Sequence, residues 1–385
     1  GLGQKESDEA KLASQRLPIF VNVETLAEAM GISVGELRFL AFSRRVSTCT
    51  HYRRFALKKK SGGLRNISAP MPRLKRAQEW IRLEILDRVE LHRDAHGFRP
   101  GRSIVSNAKP HVGSDVVINV DLEDFFPTVT FRRIRGVFRS LGYSEQIATI
   151  LALICSEPDV DEVSLDGTTY FVAKSERYLP QGAPSSPAIT NIICRGLDAR
   201  LSYAAEKLGF KYTRYADDIT FSGSGDALRN VGCVLRRVKH VVEDEDFKLH
   251  PKKTRVLRGS RRQEVTGLVV NERVNIPRRT LRRFRAVLFQ IERDGPAGKH
   301  WGDSADVIES IEGFANFVAM VDAEKGTEFQ KRVRAIVDRY GKRRPPRAQR
   351  PRWKPRAPEP KVTAENESAA QKPEAKKKKP WWKFW

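Results

Sequence analysis

Asp217 and Asp218 stand side by side in YTRYADDITFSG, residues 212–223, between two apolar, β-prone runs. Phe210, Tyr212 and Tyr215 lead in, Ile219 and Phe221 lead out, and the pattern reads as strand, tight turn, strand. Adjacent carboxylates repel unless something positive sits against them. Asp is also an ordinary turn residue, so a surface hairpin tip is one reading of the pair. A divalent cation held at the tip is the other, because the ion relieves the repulsion. That second reading needs a carboxylate from a distant part of the chain.

VINVDLEDFFPTV supplies it. The run VVINV, residues 116–120, is unbroken and β-branched, which suits a central strand buried on both faces. Asp121 falls where that strand leaves the core. A strand end and a hairpin tip are rigid enough to hold oxygen ligands for Mg²⁺, which demands near-octahedral geometry. Two such ions about 4 Å apart would activate a hydroxyl and neutralise a leaving pyrophosphate. Glu123 and Asp124 are also near, but acidic residues at a helix start explain them better.

The elements that must position these groups follow from periodicity. Residues 23–42 have helical spacing, broken at Gly31 with Ser33 as the next cap. This superficially resembles a helix-turn-helix, although paired short helices are common without a DNA-reading role. Residues 52–70 read as a β-hairpin around Gly62–Gly63, and 72–92 as one long amphipathic helix. FRRIRGVFRSLGY and SEQIATILALIC are helices. LPQGAPSSP opens as a Pro/Gly loop and continues as one helix to about residue 208. A helix over 226–243 follows the Asp pair, then HPKKTRV and VTGLVVN as short strands. Residues 277–340 are helical and crowded with Arg.

Composition limits the partners. The net charge of +24 over 385 residues points to a polyanion, nucleic acid first and an anionic membrane surface second. No apolar run approaches the roughly 18 residues of a membrane span. The opening GLGQKESDEAKLASQ has no signal-peptide core. Cys49, Cys155, Cys194 and Cys233 are scattered without a C-x-x-C pair, which suits a reducing cytoplasm and argues against zinc. From Gly341 onward the chain is rich in Pro, Lys and Arg, with fifteen basic and four acidic residues and no apolar period. It reads as a disordered basic tail whose terminal WWKFW could stack on bases or meet a membrane interface.

Taken in order, VDLEDFF, LPQGAPSSP and YADD resemble the palm of a reverse transcriptase. KKKSGGLRNISAP resembles its fingers hairpin, HPKKTRV its lysine-bearing segment and VTGLVVN its primer grip. Asn107, Ala108 and His111 form an N-A-x-x-H pattern, and Val265, Thr266 and Gly267 a V-T-G; together they resemble the marker segments of bacterial retron reverse transcriptases. The resemblance implies an α+β, right-hand polymerase with fingers, an antiparallel palm sheet with helices, and a helical thumb. Its implied divisions are an N-terminal helical extension (1–48), fingers (49–115), a palm (116–275, with part of the fingers inserted around 130–185), a thumb (276–340) and the tail (341–385).

The same resemblance implies roles. Asp121, Asp217 and Asp218 would hold two Mg²⁺ ions and carry catalysis. Arg65 and Lys59 would grip the incoming triphosphate, Phe126 would exclude a ribose 2′-OH, and Gln181 and Gly182 would back the nucleotide and template. Lys253 would protonate or screen the leaving pyrophosphate. Core packing, a Pro/Gly turn and ordinary surface lysine are the alternatives for these positions. Asn107 and His111 are candidates for RNA contact or for buried, satisfied polar groups. Arg278, Arg282 and Arg285, spaced by four and three, would share a helical face toward folded RNA.

The implied reaction is RNA-templated DNA synthesis from dNTPs. The template and primer would be one cognate structured non-coding RNA, extended from an internal 2′-OH into branched, multicopy single-stranded DNA. A partner effector protein and a role in anti-phage defence go with the family, and no membrane partner is expected. Group II intron and diversity-generating enzymes share the palm motifs, but the compact chain and the marker pair argue against them. A silent RNA-binding scaffold has no use for three carboxylates in a basic groove.

Overall fold

The structure is a computed structural model that describes residues 6–58, 62–302, 304 and 306–341. Lys59 and the basic tail from Lys342 lie outside the described residues.

Four antiparallel strands form the central sheet, in the spatial order Phe210–Tyr215, Asp218–Gly223, Val116–Asp121, Arg255–Arg258. Successive side chains of a strand point to opposite faces. In Val116–Asp121 this alternation feeds two separate cores. Val116, Ile118 and Val120 enter the larger one, shared with the helices Arg195–Lys207 and Val231–Asp244. Val117 enters a second core that includes Val265, Leu268 and the three C-terminal helices. The unbroken apolar run is therefore the mark of a strand covered on both sides. Asp121 shares the face of Val117 and Asn119, so it emerges on the side opposite the larger core.

A two-stranded hairpin pairs Tyr52–Lys58 with Leu64–Pro70, and Leu57 lies across from Arg65. Helices Phe131–Leu141 and Glu145–Cys155 pack side by side, and the latter takes the apolar faces of Val23–Ala29 and Val34–Ala41. Ser33 caps the second of these short helices through the Glu36 amide. Leu26 and Leu37 are fully buried there. The pair serves as packing for the helix Glu145–Cys155.

In the C-terminal region, Arg278–Asp294, Val307–Val321 and Ala323–Tyr340 close around Phe284, whose ring lies 4.9 Å from Trp301, 4.6 Å from Phe314 and 5.1 Å from Phe329.

Several elements differ from the sequence reading. The helix from Pro72 ends at Glu84, and a 3-10 turn, Leu86–Arg88, carries the apolar pattern onward. The helix after the Pro/Gly loop is two, Ser186–Ile193 and Arg195–Lys207, broken at Cys194. The segment 225–230 is a 3-10 turn and the α-helix begins at Val231. Glu123 and Asp124 lie in a turn, with the next helix starting only at Phe131. A further hairpin, Val160–Leu165 with Thr168–Ala173, turns at Asp166–Gly167 and also pairs with Val46–Ser47.

Candidate active site

The three aspartates meet where the central strands end. Asp121 is the cross-strand partner of Asp218, and the Leu122 amide donates to the Asp217 carbonyl at 3.0 Å. Ala216 takes the left-handed conformation (φ 57°) that reverses the chain just before the Asp pair. Asp121 is buried, Asp217 half-buried and Asp218 open to the cleft.

Charge is the main fact about this group. Burial, then the charges of Asp217 and Asp121, push the Asp218 carboxyl up to about 7, with Lys253 opposing. Solvent reaches Asp218 from the cleft even though protein crowds it from the sheet side, so water screens part of this effect. Asp217 is also raised, by burial first and by Asp121, against its own backbone hydrogen bond, Lys253 and Arg65. Lys253 Nζ donates to both Asp121 carboxylate oxygens, at 2.9 and 3.0 Å.

One ammonium against three carboxylates leaves an excess of negative charge, and that donor set suits a divalent cation. Among the described residues no three such side chains already form a ligand shell. The Asp121 carboxylate is turned onto Lys253.

Arg65 extends exposed from the two-stranded hairpin and its charge is felt at Asp217. Phe126 is half-buried, 5.5 Å from the Phe125 ring and 6.5 Å from that of Phe98. Phe98 also faces Tyr215, at 6.4 Å, and is half exposed with a left-handed backbone. Sequence reading passes over Phe98, because a Phe beside Pro and Gly gives no sign of lining a cleft.

The Gln181–Gly182 loop is joined to the same hairpin, the Ser68 amide donating to the Gln181 carbonyl at 2.9 Å. Gly182 has φ +125°, and a Cβ there would lie 2.8 Å from the Ser68 carbonyl oxygen. Only glycine permits this approach.

The N-A-x-x-H residues require a correction. His111 is fully buried, its Nδ1 2.8 Å from Ser222 Oγ and its Nε2 2.8 Å from Thr213 Oγ1. Asn107 is also fully buried, with neither side-chain atom hydrogen-bonded. Neither residue offers a polar atom to RNA. Instead His111 spans both strands that flank the Asp pair. By contrast Arg278, Arg282 and Arg285 are all exposed on their helix, with the Arg285 guanidinium 5.5 Å from the Phe329 ring centre.

A buried pair escapes sequence reading altogether. Arg214 and Asp198 are both fully buried and form a two-bond ion pair, with each bond 2.7 Å long. A single Arg in a chain with 71 basic residues carries no signal that would single it out.

Several known proteins are similar to this chain. Residues 57–270 match the family described as reverse transcriptase (RNA-dependent DNA polymerase). The chain is 44% identical over 322 residues to the retron Mx162 reverse transcriptase of Myxococcus xanthus, covering 80% of this chain and 65% of that protein. It is 39% identical to the retron Mx65 reverse transcriptase of Myxococcus xanthus, covering 84% of this chain and 74% of that one. Against the retron Ec86 reverse transcriptase of Escherichia coli the identity is 32%, over 86% of this chain and 94% of that one. The match thus spans less than two thirds of the Mx162 protein and nearly all of the Ec86 protein. Among solved structures, apo telomerase from Candida tropicalis aligns with a TM-score of 0.44 at 11% identity, over 76% of this chain and 58% of that one.

Proposed function

The chain belongs to the retron reverse transcriptases, a family of RNA-directed DNA polymerases, and from that premise we propose that it copies one cognate structured RNA into DNA at the Asp121–Asp217–Asp218 site. The observation that carries the reading is the cross-strand pairing of Asp121 with Asp218 in a group whose negative charge the protein leaves largely uncompensated.

Asp121, Asp217 and Asp218 would hold the divalent metal, read as two Mg²⁺ ions, which supplies charge neutralisation at the attacking hydroxyl and the leaving pyrophosphate. Lys253, whose ammonium holds the Asp121 carboxylate, would serve as proton donor or screen for the leaving pyrophosphate. Arg65 suits the triphosphate because a guanidinium fork matches phosphate oxygens. Lys59 belongs to the same hairpin in sequence. Phe126, with Phe98 beside it, closes the space a ribose 2′-OH would need. Gln181 and Gly182, fixed against the fingers strand, form a floor for nucleotide and template.

The family further supports an internal 2′-OH of that RNA as primer, a branched RNA–DNA product, and a partner effector protein in anti-phage defence. Sequencing the nucleic acid that co-purifies with the protein tests this. The expected result is one RNA species covalently joined to single-stranded DNA through an internal 2′-oxygen. A bulk mixture of cellular RNAs with no joined DNA would overturn the single-RNA reading.

A further inference from the structure

Arg214 is among the largest fully buried side chains of the described residues, and all three nitrogens of its guanidinium donate. Nε and Nη2 donate to the two carboxylate oxygens of Asp198. The remaining nitrogen, Nη1, donates to the Ala216 carbonyl at 3.0 Å and to Asn191 Oδ1 at 3.1 Å. Asn191 in turn donates from Nδ2 to the Gly97 carbonyl at 2.8 Å. Tyr212 donates its hydroxyl to Asp198 Oδ1 at 2.7 Å.

A fully buried ion pair is a poor source of stability, because desolvation consumes much of the attraction. Its position is more informative. Ala216 is the left-handed residue immediately before Asp217. The chain at His96–Gly97 also presses on this turn. The His96 amide donates to the Arg214 carbonyl at 2.8 Å, and a Cβ on Gly97 would fall 2.4 Å from the Ala216 nitrogen. The turn that presents both aspartates is thus held by a guanidinium and packed against a backbone that leaves no room for a side chain. Asn191 lies on the helix Ser186–Ile193, which follows the Gln181–Gly182 loop, so the network also reaches the nucleotide floor.

We propose that Arg214, aligned by Asp198 and Asn191, is a positioning residue that fixes the Ala216 turn and thereby sets where Asp217 and Asp218 stand relative to Asp121. The inference rests on those aspartates being the metal ligands. Groups that orient metal ligands from behind commonly change metal affinity or activity by about 10- to 100-fold when removed.

Two variants separate positioning from mere packing. Tyr212→Phe/Asp198→Leu/Arg214→Met replaces the network with apolar side chains and leaves no buried charge alone. Arg214→Lys keeps a cation beside Asp198 but has no fork to reach Ala216 and Asn191 together. For each, thermal melting reports the fold, electron paramagnetic resonance of Mn²⁺ reports metal binding, and single-nucleotide extension gives kcat and KM. In a variant that melts like the wild type, Mn²⁺ affinity and kcat should each fall about tenfold or more, with little change in KM for the dNTP. A folded variant that binds Mn²⁺ and extends primer as the wild type does would overturn the proposal. Asp217→Asn/Asp218→Asn, run in parallel, distinguishes the two possible failures. If that protein still extends, the ligand assignment itself is wrong. If it is inactive while both Arg214 variants behave as wild type, only the positioning role falls.

Discussion

At the scale of single residues, the chain separates attraction of RNA from chemistry on it. Close to half of its surplus of basic groups lies in the segment from Gly341 and the rest is spread along the chain, whereas the acidic site is compact. Replacing both Asp217 and Asp218 with Asn should therefore abolish DNA synthesis and leave RNA affinity intact, or slightly higher at low salt. Primer extension and filter binding on the same preparation check both halves. Phe126 invites a different test. Steric rejection of one hydroxyl depends on bulk, and Phe126 is held in place by Phe125 and Phe98. Phe126→Ala should raise ribonucleotide incorporation by at least about tenfold relative to dNTP. An unchanged ratio would make Phe126 a packing residue. The aspartates are legible from sequence because a charged pair between apolar runs is conspicuous. Arg214, Asp198 and Phe98 are not, since burial and partnership arise only when distant segments meet.

At the scale of elements, the short helix Ile104–Ala108 and the turn that follows it connect the Asp hairpin to the second core. Ala108 packs in that core, while His111 bridges Thr213 and Ser222. Burial pushes the His111 imidazole down from 6.5 to about 3, with Lys211 and His96 adding to the effect. Between those values the unfolded chain takes up a proton that the folded chain refuses. Stability is therefore full above about pH 6.5 and is lost as pH falls toward 3. From pH 7 to pH 5 this costs on the order of 2 kcal/mol. Denaturant melts of wild type and His111→Gln should show a shallower pH slope in the variant; identical slopes would mean that His111 is not held neutral.

The same element shows where sequence reading stops. N-A-x-x-H marks a relationship, but polar letters cannot reveal that their side chains face inward. Apolar periodicity has a similar limit. Positions such as Leu86 and Val89 continue the pattern past Glu84 because they stay buried, although the α-helical hydrogen bonding has ended. The strand Val116–Asp121 is readable because burial on both faces leaves a continuous apolar run. The hairpin turning at Asp166–Gly167 carries a strong two-residue turn signal. Its strands nevertheless escape a reading by periodicity, since Val160–Leu165 is mostly exposed and lacks a clear apolar face.

At the scale of the whole molecule, two cores meet across one strand, and the acidic site opens on the side of the C-terminal core. Polymerase motifs respond to backbone shape and metal geometry, so they cannot select one RNA among many. For a chain that copies one cognate RNA, as proposed, a selecting surface would lie elsewhere, and the exposed face of Arg278–Asp294 is the candidate. Arg278, Arg282 and Arg285 line it, and Arg285 is steadied over Phe329. Arginines held this way can meet phosphates and 2′-hydroxyls beside a stem-loop at a small entropic cost. The basic tail from Lys342, outside the described residues, is rich in Lys and Arg. Its expected contribution is attraction without selection. Deleting it should weaken binding to cognate RNA and to an unrelated hairpin alike. The salt dependence should flatten by about 0.7 in log–log slope for each phosphate that the tail neutralises. Changing Arg278, Arg282 and Arg285 to Gln should instead reduce the preference for cognate RNA, with a smaller change in affinity for the unrelated hairpin. Competition binding at two salt concentrations decides between these assignments. A tail deletion that alone erases the preference, beside an arginine variant that keeps it, would move the selecting surface to the tail.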